Sequence, residues 1–317
     1  MSVGWSVALH DISVIGGQDA PSGTTPVGCI DKAPDGLGAP PLRTEDVTFP
    51  QVDGITHFYD WYQPRIITVD PVTVCSDNCD SCPSHRQKMA QLIGAWSRHC
   101  DDTELVIYTD CHDPDADDAT RAYTGPYGVV GRPRVALSQW IPGTRCGVAT
   151  LRFDGTDHRL FILDGDGTPG SGEVCVDLSP TVNAKCRTYP RCYEPTMCYT
   201  ESSAATGTGP QDMDNYGTLC APVTVVLDGP LTSPTVTNTT TNEAFTYTGT
   251  IAAGKTVTVD TTTGTAVDSD GINRTYLLTG DTRWQLNPGV NTILLTSFGS
   301  GDTGTGSVCF RPAVLSA

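Results

Sequence analysis

Long apolar runs are missing from this sequence of 317 residues. The longest, such as Leu160–Leu163 and Val223–Leu227, fall far short of the roughly 18 residues that a membrane-crossing helix needs. Cations are scarce as well. Nineteen Lys and Arg stand against 36 Asp and Glu, and a formal charge of −17 repels a phosphate backbone unless a local basic patch offsets it. No run of basic residues does so, which excludes stable nucleic-acid binding. The opening MSVGWSVALHDIS has neither a basic leader, nor a long apolar stretch, nor a small-residue cleavage site, so it does not read as a signal peptide. A soluble protein made in a cytoplasm is expected.

Catalytic signatures are also absent. There is no GxSxG elbow and no HExxH, and the six histidines (His10, His57, His85, His99, His112 and His158) are scattered without a helical ligand spacing. The Asp-rich loops fit an acidic surface rather than an acid–base pair. No active site, cofactor or catalytic residue is expected. What the chain has in plenty is punctuation: 33 Gly and 23 Pro, about one residue in six, which rule out a single long helical bundle. At about 150 residues per domain, the length suggests two domains, each able to bury a core.

Thirteen cysteines conflict with a purely cytoplasmic life. Cys75, Cys79 and Cys82 lie in CSDNCDSC, Cys100 follows one helix later, and Cys186, Cys192 and Cys198 recur every six residues. Cys79-x-x-Cys82 has the spacing of a zinc half-site, and Cys75, Cys79, Cys82 and Cys100, with His99 beside them, are candidate ligands. A second CxxC is missing, and compartment logic favours disulfides, as would suit a protein assembled inside a cell and working outside it. The odd total leaves one thiol unpaired within the chain, or paired between chains.

The periodicities predict a mainly β chain with one helix in its N-terminal part. HFYDWYQPRIITVDPVTV alternates as a strand does. From about 84 to 100, SHRQKMAQLIGAWSRHC sets Met89, Leu92, Ile93 and Trp96 on one stripe, with Ser84 as N-cap after Pro83. ELVIYTD, RAYTGPYGVV, RPRVALSQW, GVATLRFDG and HRLFILDG then read as short strands, with DCHDPDADD as an acidic loop. Their spacing favours an antiparallel sheet or barrel over a parallel α/β fold. The expected organisation is a β-rich domain at 1–164, a Cys- and Gly-rich connector or arm at 165–220, and a β-sandwich at 221–317. That last segment holds 23 Thr in alternating runs, with turns at Ala253-Gly254, Ser269-Asp270-Gly271, Asn287-Pro288-Gly289 and Gly299–Gly306.

Three patterns invite chemistry and are better read otherwise. Gly249–Thr256, GTIAAGKT, matches a phosphate-binding loop literally, but the β-branched alternation after Lys255 makes it a hairpin turn. Asp164, Asp166 and Glu173 in the stretch DGDGTPGSGE offer hard oxygens at a spacing unlike a calcium-binding EF-hand. Phe58, Tyr59, Trp61 and Trp284 could stack on a sugar or a protein, although large aromatics in sandwiches are usually core.

The ending VDTTTGTAVDSDGINRTYLLTGDTRWQLNPGVNTILLTSF, followed by SVCFRPAVLSA, resembles the distal tail proteins and related minor tail proteins of long, non-contractile-tailed bacteriophages (siphoviruses), particularly those infecting actinobacteria. The matching positions are Trp284, Leu286, Pro288, Gly289 and Asn291, then Phe310, Arg311 and Pro312. The N-terminal likeness rests on element order alone. The resemblance implies a barrel-like belt domain and a galectin-like sandwich. It also implies a homo-oligomeric ring, usually six subunits, at the tip of the virion tail. There the ring would meet the tail tube protein, the tail hub or tail-associated protein and the tape measure protein. Assembly would take place in the host cytoplasm, and an acidic lumen would let DNA pass without sticking. The connector and the cysteine load depart from the family pattern and are read as contact sites. The alternative from another class is a carbohydrate-binding or adhesin module that recognises a host-surface glycan.

Overall fold

The structure is a computed structural model and describes residues 4–16, 23–43, 61–75, 82–97, 102–109, 111–113, 115–141, 146–182, 186–187, 197–198, 209–299 and 302–317. The chain divides into two units, Met1–Gly172 with Ala313–Ala317, and Glu173–Pro312.

In the first unit, β1 (Trp5–Leu9), β2 (Ile12–Gly16), β3 (Thr25–Ile30), β4 (Ile66–Cys75), α1 (Cys82–Trp96), β5 (Thr103–Tyr108), α2 (Asp118–Thr124), β6 (Tyr127–Trp140), β7 (Cys146–Gly155) and β8 (Leu160–Ile162) follow in order. The sheet runs β6-β5-β1-β2-β3-β4-β7, and β7 pairs back with β6, closing a barrel. Beyond β6 the sheet continues through β8 to the two-residue strand Ala313–Val314. Strict alternation directs one face of each strand inward, with Ile67, Val69, Val72 and Val74 of β4 and Ala149, Leu151 and Phe153 of β7 all buried. The step from Val69 to Val72 breaks that period because Asp70-Pro71 forms a bulge in the pairing with β7, a place where a missing N–H is tolerated. Barrel closure leaves the seven strands without an open edge.

Helix α1 buries Met89, Leu92, Ala95 and Trp96 against the barrel, and Trp96 meets Phe153 edge-to-face with ring centroids 6.3 Å apart. Three of the four residues of the predicted stripe are thus packed, while Ile93 is only half-buried and Ala95 takes its place. The helix begins at Cys82, two residues before the expected start, so Ser84 lies within the first turn and is not the N-cap. Residues 98–101, including His99 and Cys100, are outside the described set. The expectation of a single helix is corrected by α2, which lies partly in the expected acidic loop and partly in RAYT, expected as strand. Asp117 caps it by accepting from Thr120 N at 2.8 Å, and only Ala122 of its seven residues is buried, so no apolar stripe announces it. RAYTGPYGVV and RPRVALSQW, expected as two strands, share one continuous strand from Tyr127 to Trp140. Gly131, which looks like a break in the sequence, is where β6 changes partner from β5 to β7.

The second unit contains β9 (Val174–Leu178), β10 (Thr181–Val182), β11 (Gln211–Asn215), β12 (Ala221–Asp228), β13 (Thr235–Asn238), β14 (Glu243–Tyr247), β15 (Thr256–Asp260), β16 (Thr265–Asp268), β17 (Leu278–Gly280), β18 (Gly289–Ser297) and β19 (Thr305–Phe310). One sheet runs β9-β19-β12-β15-β16 and the other β10-β18-β13-β14-β17, with β11 also on β18. Val225, Leu227, Phe245, Trp284, Ile293, Leu295 and Val308 fill the space between them. Each such side chain contributes about 1.5–3 kcal/mol on burial. Strands β9, β10 and β11 belong to the sandwich although their sequences fall in the expected connector at 165–220, and Ala313–Ala317 leave the sandwich for the barrel sheet. Both differences arise from long-range pairing, which local periodicity does not encode.

Candidate functional site

Arg65 organises the first unit. It is fully buried, and its guanidinium donates to four backbone carbonyls: His158 O from Nε and Nη2 at 3.2 and 3.0 Å, Gly36 O and Gly38 O from Nη1 at 2.5 and 2.8 Å, and Leu315 O from Nη2 at 2.5 Å. The fixed fork of donors thus ties the 36–38 loop, the turn before β8 and the C-terminal tail into one node. Burial pulls its pKa down to about 10, with Asp157 opposing, so it stays cationic at neutral pH. Gly36 is required here: at φ +96 a Cβ would lie 2.0 Å from Ile66 O. Beside the node, Asp157 accepts from His158 N at 2.6 Å and from Arg159 Nε and Nη2 at 2.8 and 2.5 Å. Burial pushes the Asp157 carboxyl up, but these donors outweigh it and hold the group well below the usual carboxylate range. A groove of about 330 Å³ opens on Arg65 between Pro40, Pro41 and Pro64, but the guanidinium is committed to carbonyls.

The cysteine candidates are distributed differently from their sequence clusters. Cys75 is bonded to Cys146, its directly opposed partner across β4 and β7, rather than to a neighbour in CSDNCDSC. Cys79, Cys100 and the side chain of Cys82 are outside the described residues. A second cross-strand disulfide joins Cys175 on β9 to Cys309 on β19. Glu173 lies close to this pair; among the described residues no other set of His, Cys, Asp or Glu comes within metal-ligating distance, and these two sulfurs are bonded to each other. Cys186 and Cys198 face each other in register in a two-stranded ladder. Cys29 and Cys220 are exposed free thiols.

The remaining motifs are structural where they are described. GTIAAGKT is a turn with Gly254 at φ +74, and Lys255 pairs with Asp270 at 2.7 Å. Asp164 pairs with Arg121 at 3.3 Å, and Tyr108 Oη donates to Asp166 O at 3.1 Å, so the stretch after β8 straps onto the barrel. Burial, together with Asp166, pushes the Tyr108 phenol up to about 12. Trp284 is core, fully buried in the sandwich. His158 stacks on Tyr62 at 5.3 Å, and His112 meets Tyr108 edge-on at 5.2 Å. Phe58, Tyr59, His57 and His99, and the side chains of Trp61 and His85, are outside the described residues.

Sequence reasoning misses Arg65, Asp157 and the pairing of Cys75 with Cys146. It also misses a row of exposed arginines, Arg132 and Arg134 on β6 and Arg152 on β7. The i, i+2 spacing of RPR inside a strand is the available signal, because it places both cations on one face.

Residues 217–309 match a family described as the C-terminal domain of siphovirus-type tail components. Among curated proteins none matches. Among solved structures, the crystal structure of the Dit protein of phage SPP1 is similar over 98% of this chain and 98% of that one, at 15% identity and a TM-score of 0.54. The structure of the phage P2 baseplate in its activated conformation with calcium aligns over 98% of this chain and 98% of that one, at 11% identity and a TM-score of 0.42. The chain has the fold of the Dit protein over nearly its whole length, and residues 217–309, the larger part of its sandwich, are similar to the C-terminal domain of siphovirus-type tail components.

Proposed function

We propose that this chain is a distal tail protein, a structural component of the tail tip of a siphovirus virion. The observation that carries this reading is the coincidence of two findings on one chain. Residues 217–309 match the tail-component domain family, and barrel and sandwich together share the fold of SPP1 Dit, described as a paradigm of the hub adsorption apparatus in phages infecting Gram-positive bacteria. The work of such a protein is positional and needs no catalytic group. A closed barrel provides a stiff wall, and a sandwich with open sheet edges provides surfaces for other proteins.

In this reading six copies form a ring that joins the tail tube to the hub and to host-recognition proteins, with the tape measure protein meeting it from within. Assembly takes place in the host cytoplasm, and the disulfides form once the particle reaches an oxidising medium. A closed ring repeats one heterologous contact, so each subunit presents two different complementary faces. Nothing in the comparisons favours the sugar-binding alternative. The test is the native mass of the purified protein by light scattering across concentration, with negative-stain images. Six chains of 33.6 kDa give about 200 kDa and an annular particle. A monomer at every concentration, with or without purified tail tubes, would overturn the ring.

A further inference from the structure

The outer face of the β6–β7 hairpin has a charge arrangement that does not serve the isolated chain. Arg134 and Arg152 are directly opposed across the two strands, and Arg132 lies two residues along β6 opposite Asp154. Like charges directly opposed across a ladder are destabilising. A single carboxylate serves both opposed arginines: Asp154 lies 2.9 Å from Arg134 Nε and 2.5 Å from Arg152 Nε. In Lys255–Asp270 and Arg274–Asp268, by contrast, one cation meets one carboxylate. The three arginine side chains are 53, 63 and 45% exposed. Arg132 and Arg134, with Ser97 and Val135, line a groove of about 360 Å³ beside the end of α1. In a chain of net charge −17, a cationic surplus seated at a concavity is a recognition feature.

The same unit carries the complement. Asp113, Asp115, Asp117 and Asp118 are all exposed on the turn leading into α2. Their shape is fixed by the Asp117 cap and by Asp115 N donating to Asp113 Oδ1 at 3.0 Å. One cation, Arg121, serves Asp118 and is shared with Asp164. The knob precedes α2 and Tyr127, the first residue of β6, and Arg134 lies seven residues further along that strand, roughly 23 Å from Tyr127 at about 3.3 Å per residue.

We propose that the Arg132–Arg134–Arg152 face of one copy receives the Asp113–Asp118 knob of the next, making the heterologous contact of the ring. This rests on the ring reading above and names its interface. A guanidinium pair facing a carboxylate cluster makes short, charge-assisted bonds, and a second copy supplies further carboxylates to Arg134 and Arg152, which share Asp154, in fixed proportion.

The test uses the full chain and charge reversals, with native mass as the readout and circular dichroism to verify folding. Arg134→Glu with Arg152→Glu should raise the concentration needed for assembly at least about tenfold, and Asp113→Lys with Asp115→Lys should do the same. Mixed in equal amounts, the two variants should assemble again in alternation, because the reversed face of the first meets the reversed knob of the second and the native face of the second meets the native knob of the first. Folded variants that assemble like the wild type, or a mixture that stays monomeric, would overturn the interface while leaving the ring intact. A wild-type chain that never assembles would overturn the ring reading itself, and the interface with it.

Discussion

Replacing both Cys175 and Cys309 with serine tests how the sandwich is held. The chain leaves the barrel unit after Gly172 and returns at Ala313, so a bond between residues 175 and 309 closes the second unit at its neck. The two strands remain paired without it, from Val174 opposite Phe310 to Leu178 opposite Gly306, so the variant should keep its fold. What it loses is the restriction of the unfolded chain. For a sequence separation of 134, the loop-closure relation gives about 5 kcal/mol at 25 °C as an upper figure. With a urea m-value of about 2 kcal/mol per molar, the midpoint of the sandwich transition should fall by roughly 1–2.5 M. Trp284 reports this transition, since it is the one tryptophan between Glu173 and Pro312, and subtraction of a Trp284→Phe control isolates its signal. Wild-type protein treated with a reductant should match the variant. An oxidised wild type whose midpoint coincides with that of the variant would refute the closure argument.

Other outcomes follow from the barrel node. Arg65→Met leaves the carbonyls of Gly36, Gly38, His158 and Leu315 without their donor, and thermal unfolding of the first unit should show a loss of at least about 3 kcal/mol. Deleting residues 313–317 removes the strand on β8 and the Leu315 acceptor, so it should lower the barrel melting temperature and leave the Trp284 transition in place. The Asp157 carboxyl is held below its unfolded value. Its stabilising contribution is therefore complete above about pH 3.9 and lost as pH falls from there toward the lowered value; melting curves between pH 5 and 2 should lose that component in Asp157→Asn. Lys255→Ala breaks only an exposed ion pair and should change stability by less than about 0.5 kcal/mol, and calorimetric titration with ATP should give no binding to either form.

The sandwich is legible in the sequence because Thr- and Val-rich alternation and its Gly, Asn and Pro turns are local signals, and a large aromatic such as Trp284 within those runs is expected in the core. The barrel strands are legible for the same reason, as in β4, where Ile67, Val69, Val72 and Val74 alternate around a bulge. Helix α2 is not, since a seven-residue helix with one buried side chain rests on its cap rather than on periodicity. Partners distant in sequence are equally hidden. Cys75 sits among near cysteines but bonds 71 residues away because the β4–β7 register opposes it to Cys146. Arg65 looks like one more cation in a strand-like run, and its role depends on carbonyls from three other segments, one of them 250 residues away. The arginine face is signalled by the spacing of Arg132 and Arg134, but Arg152 joins it only through the hairpin register.

The proposed place of this chain is the distal end of a phage tail. Gold-labelled antibody raised against the purified protein, bound to intact virions and viewed by negative-stain electron microscopy, tests it most directly. Label confined to the tail end away from the capsid is the expected result. Label along the tail shaft, on the capsid, or absent from virions whose tail tips bind control antibodies to other tip proteins would contradict that placement.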